Sequence, residues 1–411
     1  MSERRWWPAL GLIAALGVAV RVLWVVAGSW EPGGLAIDSV FYHELANLLA
    51  DGRGFISPTA LDAGIVEPTA DKPPLFPLLL AAASKLGFTG IESHRLVGCG
   101  LGAATIVLTG LLGRRAGGPG VGLVAAAIAA AYPFFISLDG GLLTEAAYGP
   151  LLLLSLLLAY RLMDAPGAGR ALASGAVIGL AAMARPEALL LLPLLVLPVL
   201  VRAAGPGRPR ALWFAAACLA ALAVVAPWTA RNWSAFDRPV PISSQEGITI
   251  GGANCLSTYS GSDLGFWRLD CIPPSVVRIR NEAERAAAAR REGLEYAADH
   301  AGRLPVVLAA RVLRTWELYK PFARAYPGGL PAPPAARLGS YYLLLALAAC
   351  GLALLRRRGV PLLPLLVPLV LATTITLIGF GYVRFRFAAD LALTVPAATA
   401  LCAAYVRVRG R

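Results

Sequence analysis

The sequence predicts an all-α integral membrane protein with about ten transmembrane helices and two external loop regions that carry interfacial helices. Apolar residues make up 57% of the 411 residues, and the mean hydropathy of +0.66 is far above that of a water-soluble globular protein. Most apolar runs have roughly 17 to 22 residues, enough to cross about 30 Å of hydrocarbon. They cover 6–27, 96–113, 119–138, 142–160, 171–184, 187–201, 211–229, 338–355, 359–380 and 387–406.

The basic residues predict how these spans are oriented. The formal net charge is +13, but in so apolar a chain the charge indicates membrane topology rather than a nucleic-acid partner. If the spans alternate, clusters such as Arg114-Arg115 and Arg356 to Arg358 fall on one side, which is cytoplasmic by the positive-inside rule. We therefore expect a multi-pass protein with both termini in the cytoplasm. The Ala, Arg, Gly and Pro bias favours a GC-rich bacterium, and hence its cytoplasmic membrane.

Three parts are expected along the chain. An N-terminal transmembrane module covers residues 1–229 and includes a first external loop at 28–93. A large external loop covers 230–336, and C-terminal transmembrane helices cover 337–411. No sign of a soluble globular domain is found.

Both external loops contain helical patterns. Residues 38–49 have the apolar spacing of a short interfacial helix. Residues 73–88 are apolar but too short for a span, and they predict an interfacial or re-entrant helix. A charged amphipathic helix is expected from about 276 to 320.

Two of the six cysteines fall in the large external loop, Cys255 and Cys271. In an oxidising compartment they would form a disulfide, and closing a loop of about 17 residues would stabilise it by roughly 3 kcal/mol. The alternative is two unpaired loop thiols. The other four cysteines lie in apolar runs, where thiols pack as small hydrophobes.

Six basic residues fall on the outer side, where the positive-inside bias disfavours them. Some could snorkel from helix ends, but six cations from five places favour an anion held at the outer membrane surface. A lipid phosphate carries its charge at this depth. The six residues are Lys72, Arg95, Arg185, Arg231, Arg384 and Arg386.

Three carboxylates are expected near the same face: Asp38, Asp139 and Glu145. A carboxylate at the end of a span is costly without a partner or a task. Asp38 could simply cap the helix that it begins, and Asp139 beside two glycines is typical of a turn.

Other chemistries are not indicated. The histidines His43, His94 and His300 are scattered, and no HExxH motif or paired-Cys spacing suggests a zinc site. No GxxxxGK[ST] phosphate loop occurs, which argues against an ATP-driven pump.

Several motifs occur in an informative order. DSVFYHELANLLADGRGF begins at Asp38 and contains Tyr42, and DKPPLFPLLLAAASKLGF contains Lys72. LLTEAAYGPLLLLSLLLAY contains Glu145, and the final stretch is GYVRFRFAADLALTVP. Together they resemble the GT-C class of glycosyltransferases that use a polyprenyl-phosphate sugar, in particular the protein O-mannosyltransferase and aminoarabinose-transferase branch. The histidines that bind metal in some relatives have no counterpart here.

The resemblance implies an inverting sugar transfer on the outer face, from a polyprenyl-phosphate donor to a hydroxyl of a glycan, lipid or protein. Asp38 would be the base, and Glu145 would orient a substrate or help to hold a divalent ion. No cofactor is required. Lys72, Arg185, Arg231, Arg384 and Arg386 would bind the donor phosphate, and Tyr42, Arg95 and Asn254 would position substrates.

Two other classes are considered. A transporter or flippase of a lipid-linked anion also needs many spans and charges within the membrane, but its ionisable residues should lie near the midplane rather than at outer helix ends. A purely structural membrane subunit leaves the acidic first loop unexplained.

Overall fold

The computed structural model describes residues 3–27, 37–203, 205, 209–321 and 334–409. The expected all-α membrane fold is confirmed: within these ranges no β-strand is found, and Ile56 and Pro68 form an isolated bridge. Parts of both external loops, 28–36 and 322–333, lie outside the described residues, as do the extreme termini. The α-helices of the described part, α1 to α19, are Glu3–Ala27, Ile37–Ala50, Pro58–Asp62, Leu75–Lys85, Ile91–Gly117, Pro119–Ala131, Pro133–Gly140, Glu145–Asp164, Ala168–Ala182, Leu197–Ala203, Arg210–Ala235, Gln245–Ala253, Leu256–Tyr259, Pro274–Val277, Glu282–Asp299, Leu304–Thr315, Pro334–Arg357, Leu363–Ile378 and Phe387–Arg409.

Short non-α segments adjoin several of these helices. Five are 3-10 helices: Pro186–Leu190, Gly261–Asp263, Leu269–Cys271, Ala301–Arg303 and Val383–Arg386. A π-helix, Leu192–Val196, leads into α10.

The described part contains seven helices long and apolar enough to cross a membrane, or eight if the bent pair α6 and α7 forms one span. The expected count of about ten is therefore not confirmed. Two predicted spans, 171–184 and 359–380, coincide with the shorter apolar helices α9 and α18. The seven are Glu3–Ala27, Ile91–Gly117, Glu145–Asp164, Pro186–Ala203, Arg210–Ala235, Ala335–Arg357 and Val383–Arg409.

The predicted span over 119–138 is not one straight helix, because α6 and α7 meet at an angle of 59°. Tyr132 has an extended backbone (φ −69°, ψ 117°), as the residue before a proline prefers. Pro133 has no N–H, so the helical hydrogen bond to the Ala129 carbonyl cannot form. The buried guanidinium of Arg21 donates instead to the carbonyls of Ala129, at 3.1 Å, and Ala130, at 3.0 Å.

Asp139 is not the turn residue that the sequence suggested. It lies at the end of α7, buried, and its Oδ2 accepts from Arg21 Nε at 2.7 Å. Gly102 makes room for this pair, since a Cβ there would lie 2.6 Å from Asp139 Oδ2. Together these contacts join α1 to the bend between α6 and α7.

Helix α19 is the centre of the bundle. In its span 78% of the most apolar stretch is buried, and it packs against α5, α6, α8, α17 and α18. Its contact with α17 is so close that a Cβ at Gly351 would lie 1.7 Å from the Pro396 carbonyl oxygen. Small residues allow such backbone approach between membrane helices. The N-terminal end of α19 therefore has a well-defined position.

The first external region contains α2, α3 and α4. Helix α2 forms where an interfacial helix was predicted, and it packs on α4. With 11 residues, α4 is about 16 Å long and covers only half of the hydrocarbon. The rings of Tyr42 on α2 and Phe76 on α4 meet edge to face, with centroids 5.1 Å apart.

The second external region contains α12 to α16. The expected single helix over 276–320 is wrong, because α15 ends at Asp299 and α16 begins at Leu304 with Pro305 in its first turn. Helix α15 packs on α12 so closely that a Cβ at Gly247 would lie 2.1 Å from the Ala286 carbonyl oxygen. In this region Cys255 and Cys271 form a disulfide, with Cα atoms 5.4 Å apart.

Candidate active site

Five charged residues from separate parts of the chain form one connected group, which we call the ion cluster. Asp38 lies in the first turn of α2, and Glu145 in the first turn of α8. Arg384 lies in the short 3-10 helix before α19, Lys72 before α4, and Arg185 after α9. The N-terminal ends of α2 and α8 thus converge with these three segments, and the positive ends of the α2 and α8 dipoles favour carboxylates at these positions.

Asp38 accepts from two cations. Its Oδ1 lies 2.8 Å from Lys72 Nζ, and its Oδ2 lies 2.7 Å from Arg384 Nη1. Burial opposes ionisation of this carboxyl, but the charges of Lys72 and Arg384 outweigh it and hold its pKa well below the usual range. The side chain is still 32% exposed. Asp38 is therefore an ionised carboxylate that a molecule from outside can reach.

Glu145 is the buried counterpart, with 0% of its side chain exposed. Its Oε2 accepts from Arg384 Nη2 at 2.8 Å, and its Oε1 accepts from Arg384 Nε and Arg185 Nη1. Arg384 thus bridges Asp38 and Glu145, which are far apart in sequence. Arg185 also donates to Glu187 Oε1 at 2.5 Å. Such two-pronged guanidinium pairs fix geometry as well as charge.

Lys72 is nearly buried, with 9% of its side chain exposed. Besides Asp38, its Nζ contacts Asp71 Oδ2 at 3.3 Å and donates to Gln245 Oε1 at 3.1 Å. Burial lowers its pKa, but Asp71 and Asp38 outweigh this and raise the pKa above the usual value. No sequence signal indicated Gln245, which reaches Lys72 only because the second external region folds over the first.

Aromatic rings surround the ion cluster. Tyr42 is buried, and burial raises the pKa of its hydroxyl to about 12. The guanidinium of Arg185 lies 5.9 Å from the ring centroids of both Tyr148 and Phe385. The Nζ of Lys72 lies 5.9 Å from the Phe41 ring. Aromatic faces near the cations add a weak electrostatic attraction to the ion pairs of the cluster.

Two of the three carboxylates expected near the six cations, Asp38 and Glu145, contact cations of the ion cluster. Each of the three cations, Lys72, Arg185 and Arg384, contacts carboxylates in the structure. An incoming anion must therefore compete with these carboxylates for the cations. Chemically, the group combines cations of the kind that bind phosphate with a partly exposed carboxylate.

Two predicted phosphate ligands lie in other networks. Arg231 donates to the backbone carbonyls of Thr69 and Phe55, both at 2.8 Å. Arg386 is fully buried, and its Nη1 lies 2.6 Å from Glu317 Oε2 while its Nε lies 3.1 Å from Asp390 Oδ2. These contacts hold parts of the fold together and do not connect either residue to the ion cluster.

Two predicted positioning residues also lie elsewhere. Arg95 is buried and donates to the carbonyl of Gly140 at 2.7 Å. Asn254 donates to the Ile250 carbonyl at 2.8 Å, and its Oδ1 accepts from Tyr259 at 2.7 Å and Arg311 at 2.9 Å. Both contribute to packing in the regions where they lie.

The histidines are not all scattered, as the sequence suggested. His43 on α2 and His94 on α5 face each other, with Nδ1 atoms 3.0 Å apart. His94 Nε2 lies 2.8 Å from Ser84 Oγ, which donates to Asn47 Oδ1. Within the described ranges no group of three or more His, Cys, Asp or Glu side chains is arranged to hold a metal ion. The pair links α2, α4 and α5.

Comparison with known proteins supports a relationship over part of the chain. Residues 71–230 match the sequence model of a family described as dolichyl-phosphate-mannose-protein mannosyltransferase. This range includes Lys72, Glu145 and Arg185 of the ion cluster. Among curated protein sequences, none matches the chain.

Solved structures show the same fold. An oligosaccharyltransferase from Archaeoglobus fulgidus, tethered to an acceptor peptide with the NVT sequon, matches with a TM-score of 0.60 and 14% identity, covering 99% of this chain and 50% of that one. The AglB oligosaccharyltransferase of the same organism, in complex with an inhibitory peptide and a dolichol-phosphate, matches with a TM-score of 0.58 and 16% identity, covering 98% and 51%. ArnT from Cupriavidus metallidurans, bound to undecaprenyl phosphate, has a TM-score of 0.45 and 15% identity, covering 99% and 80%.

The chain spans about half the length of the archaeal oligosaccharyltransferases that it matches. Their low identity means that they support the fold, while the family model supports the sequence relationship. Residues 71–230 thus resemble the mannosyltransferase family, and the solved structures share the fold of the chain, in agreement with the resemblance that the motifs carry.

Proposed function

We propose that the protein is an inverting glycosyltransferase that moves a sugar from a polyprenyl-phosphate donor to an acceptor hydroxyl. The observation that carries this proposal is Asp38, a carboxylate held between Lys72 and Arg384 with a third of its side chain exposed. At this site a base that an acceptor could approach lies next to cations that are suited to binding a phosphate. The family match over residues 71–230 and the dolichol-phosphate in a structure of the same fold support the donor class.

In the proposed reaction the acceptor oxygen attacks the anomeric carbon of the sugar. Asp38 takes the acceptor proton as the new carbon–oxygen bond forms. The bond from the anomeric carbon to the phosphate oxygen breaks, and its electron pair leaves with the lipid phosphate. The acceptor oxygen attacks one face of the anomeric carbon and the phosphate leaves from the opposite face, so the configuration at that carbon inverts. A phosphate is a stable leaving group, so no general acid is needed.

Lys72, Arg185 and Arg384 would hold the phosphate and stabilise the charge that grows on it. Arg384 and Arg185 are ordered by Glu145, so the buried carboxylate would act by orienting these guanidinium groups. Tyr42 borders the same space. The proposal invokes no divalent ion, because these three cations would bind the phosphate, although Glu145 could contribute to holding one.

The lowered pKa of Asp38 bears on its role as a base. A carboxylate paired with two cations binds protons weakly. When the donor phosphate draws Lys72 and Arg384 toward itself, the charge that suppresses proton binding at Asp38 decreases. We therefore propose that donor binding raises the basicity of Asp38, so that the base becomes effective only when a sugar is in place.

The proposal extends to location and partners. The ion cluster would lie at the outer face of a bacterial cytoplasmic membrane, with both termini in the cytoplasm. The chain would consist of a transmembrane module at 1–229 with the external loop 28–93, an external loop at 230–336 and helices at 337–411. The acceptor would be a cell-envelope glycan, a lipid or a protein.

The decisive experiment is transfer of radiolabelled sugar from a panel of polyprenyl-phosphate sugars to a native membrane extract. The purified wild type should label an acceptor, and Asp38→Asn should lose several orders of magnitude in turnover while keeping donor affinity. Asp51→Asn, an exposed aspartate of the same loop, is the matched control. Near-wild-type transfer by Asp38→Asn would refute the base. No transfer from any donor by folded protein would favour a transporter or flippase.

A further inference from the structure

We propose that Glu282 is a positioning residue that sets the place of Lys72 from the second external region. The inference rests on the proposed function, in which Lys72 holds the donor phosphate. Glu282 lies in the first turn of α15 and has no contact with the ion cluster itself. It acts through the segment Thr69 to Lys72.

The carboxylate of Glu282 is buried and accepts three hydrogen bonds. Its Oε2 accepts from Thr69 Oγ1 at 2.6 Å, and its Oε1 accepts from the Ala70 backbone N–H at 2.8 Å and from Ser244 Oγ at 2.8 Å. Two of these donors belong to the first external region and one to the second. A single side chain thus joins two segments that are far apart in sequence.

Further contacts extend this junction to Lys72. Ser244 N–H donates to the Ala70 carbonyl at 3.0 Å, and Ser243 Oγ donates to the Asp71 carbonyl at 2.6 Å. The next residue, Gln245, accepts from Lys72 Nζ at 3.1 Å. Residues 243–245 therefore contact both the backbone immediately before Lys72 and the Lys72 ammonium, and the middle one of the three, Ser244, donates to Glu282.

A role in positioning explains why this site has a carboxylate. Burying an ionisable group is costly, and all three hydrogen-bond partners of Glu282 are neutral. Burial and the nearby Asp71 raise its pKa. An apolar side chain could fill the space at lower cost, but it could not orient three donors. The buried carboxylate therefore lowers the stability of the folded protein, but it gives the segment next to Lys72 a defined geometry.

The test measures binding of undecaprenyl phosphate, without sugar, to the purified full chain in detergent. We expect Glu282→Ala to weaken binding by about tenfold to a hundredfold, the effect of losing one hydrogen bond between charged groups. Lys72→Ala should also weaken it. If Glu282 acts through Lys72, the double variant should bind no more weakly than Lys72→Ala alone. Removing Lys72 already removes the phosphate contact that Glu282 positions, so the second substitution has nothing further to disturb.

The controls separate the outcomes. Glu284→Gln, an exposed glutamate in the same helical turn, should bind like the wild type. Additive losses in the double variant, or unchanged binding by Glu282→Ala, would overturn the inference while leaving the proposed function intact. If Lys72→Ala binds normally, the phosphate role of Lys72 fails, and the inference fails with it.

A second set of variants covers the case in which Glu282→Ala does not fold. Thr69→Val and Ser244→Ala each remove one donor and leave the carboxylate in place. Each should weaken binding by several-fold, and neither should do so in a Lys72→Ala background. Normal binding by both single variants would overturn the proposal.

Discussion

Arg384 illustrates how a single side chain can organise the ion cluster. Its guanidinium contacts Asp38 through Nη1 and Glu145 through Nε and Nη2, so a single residue connects the exposed and the buried carboxylate. A lysine has the same charge but no planar fork of donors. The connection therefore depends on the shape of the cation and not only on its charge.

Arg384→Lys should accordingly lower sugar transfer by at least about a hundredfold, because one ammonium cannot orient both carboxylates and a phosphate. Transfer rates of the purified variants measure this directly. Arg291→Lys, on the exposed face of α15, is the control and should be unaffected. Transfer by Arg384→Lys at the wild-type rate would show that charge alone is sufficient.

At the scale of helices, close packing of small residues positions the external regions. Helix α12, which begins with Gln245, meets α15, which begins with Glu282, at Gly247. A side chain at this glycine would force the two helices apart, since backbone atoms of Ala286 occupy the space. The positions of Gln245 on α12 and Glu282 on α15 relative to Lys72 therefore depend on this contact.

Gly247→Ala should destabilise the protein by about 1–3 kcal/mol, the usual effect of overpacking. Thermal unfolding in detergent measures the loss. Gly100→Ala is the control, because Gly100 lies in α5 with no atom within 4 Å of the added Cβ, and there the higher helix propensity of alanine should be neutral or favourable. Equal melting temperatures for the two variants would contradict the close contact.

The junction of α2, α4 and α5 should respond to pH through His43. Burial lowers the pKa of His43 below its ordinary value of about 6.5, so the folded protein favours the neutral ring. The unfolded chain then binds more protons as the pH falls below about 6.5, and stability is lost. Glu92, which acts on His43, and His94, which contacts it, are the neighbouring titratable groups.

We expect the melting temperature of the wild type to fall more between about pH 8 and about pH 5 than that of His43→Gln, which removes the titrating ring. The variant also loses the contact with His94, so the slopes with pH are compared rather than the absolute values. His300→Gln, on the exposed end of α15, is the control. Equal slopes for all three proteins would contradict a neutral His43.

At the scale of the whole molecule, the disulfide bears on the stability of the protein and on the side of the membrane at which the second external region lies. Cys255 and Cys271 enclose a loop of the second external region, with a sequence separation of 16. Reduction, or replacement of both by serine, should lower stability by about 3 kcal/mol in the chain-entropy model. A disulfide also requires an oxidising compartment, which the outer face provides.

Alkylation of intact membranes should therefore leave Cys255 and Cys271 unmodified until a reductant is added, as peptide mass spectrometry would show. The same protein, alkylated after denaturation and reduction, serves as the positive control for modification of both loop cysteines. Modification of both loop cysteines without reductant would contradict the disulfide and weaken the proposed outer location of the site.

The apolar pattern of the sequence was sufficient to predict the helical membrane fold, because long apolar runs have few other stable forms in a bilayer. The sequence also indicated the acidic helix at Asp38 and the order of the motifs. From the sequence, Pro133 indicates only a local preference for a bend. The sequence does not show that Arg21 binds the carbonyl groups at this bend. Those contacts depend on which helices become neighbours.

The tertiary structure shows which of the six cations predicted for the outer side lie together. Arg384 and Arg185 meet Glu145, whereas Arg386 is buried against Glu317 and Asp390. Arg384 and Arg386 differ by two positions, and composition and spacing treat them alike. Their environments differ because they leave a short 3-10 turn in different directions, and each charge is stabilised by whatever carboxylates the fold brings within hydrogen-bonding distance.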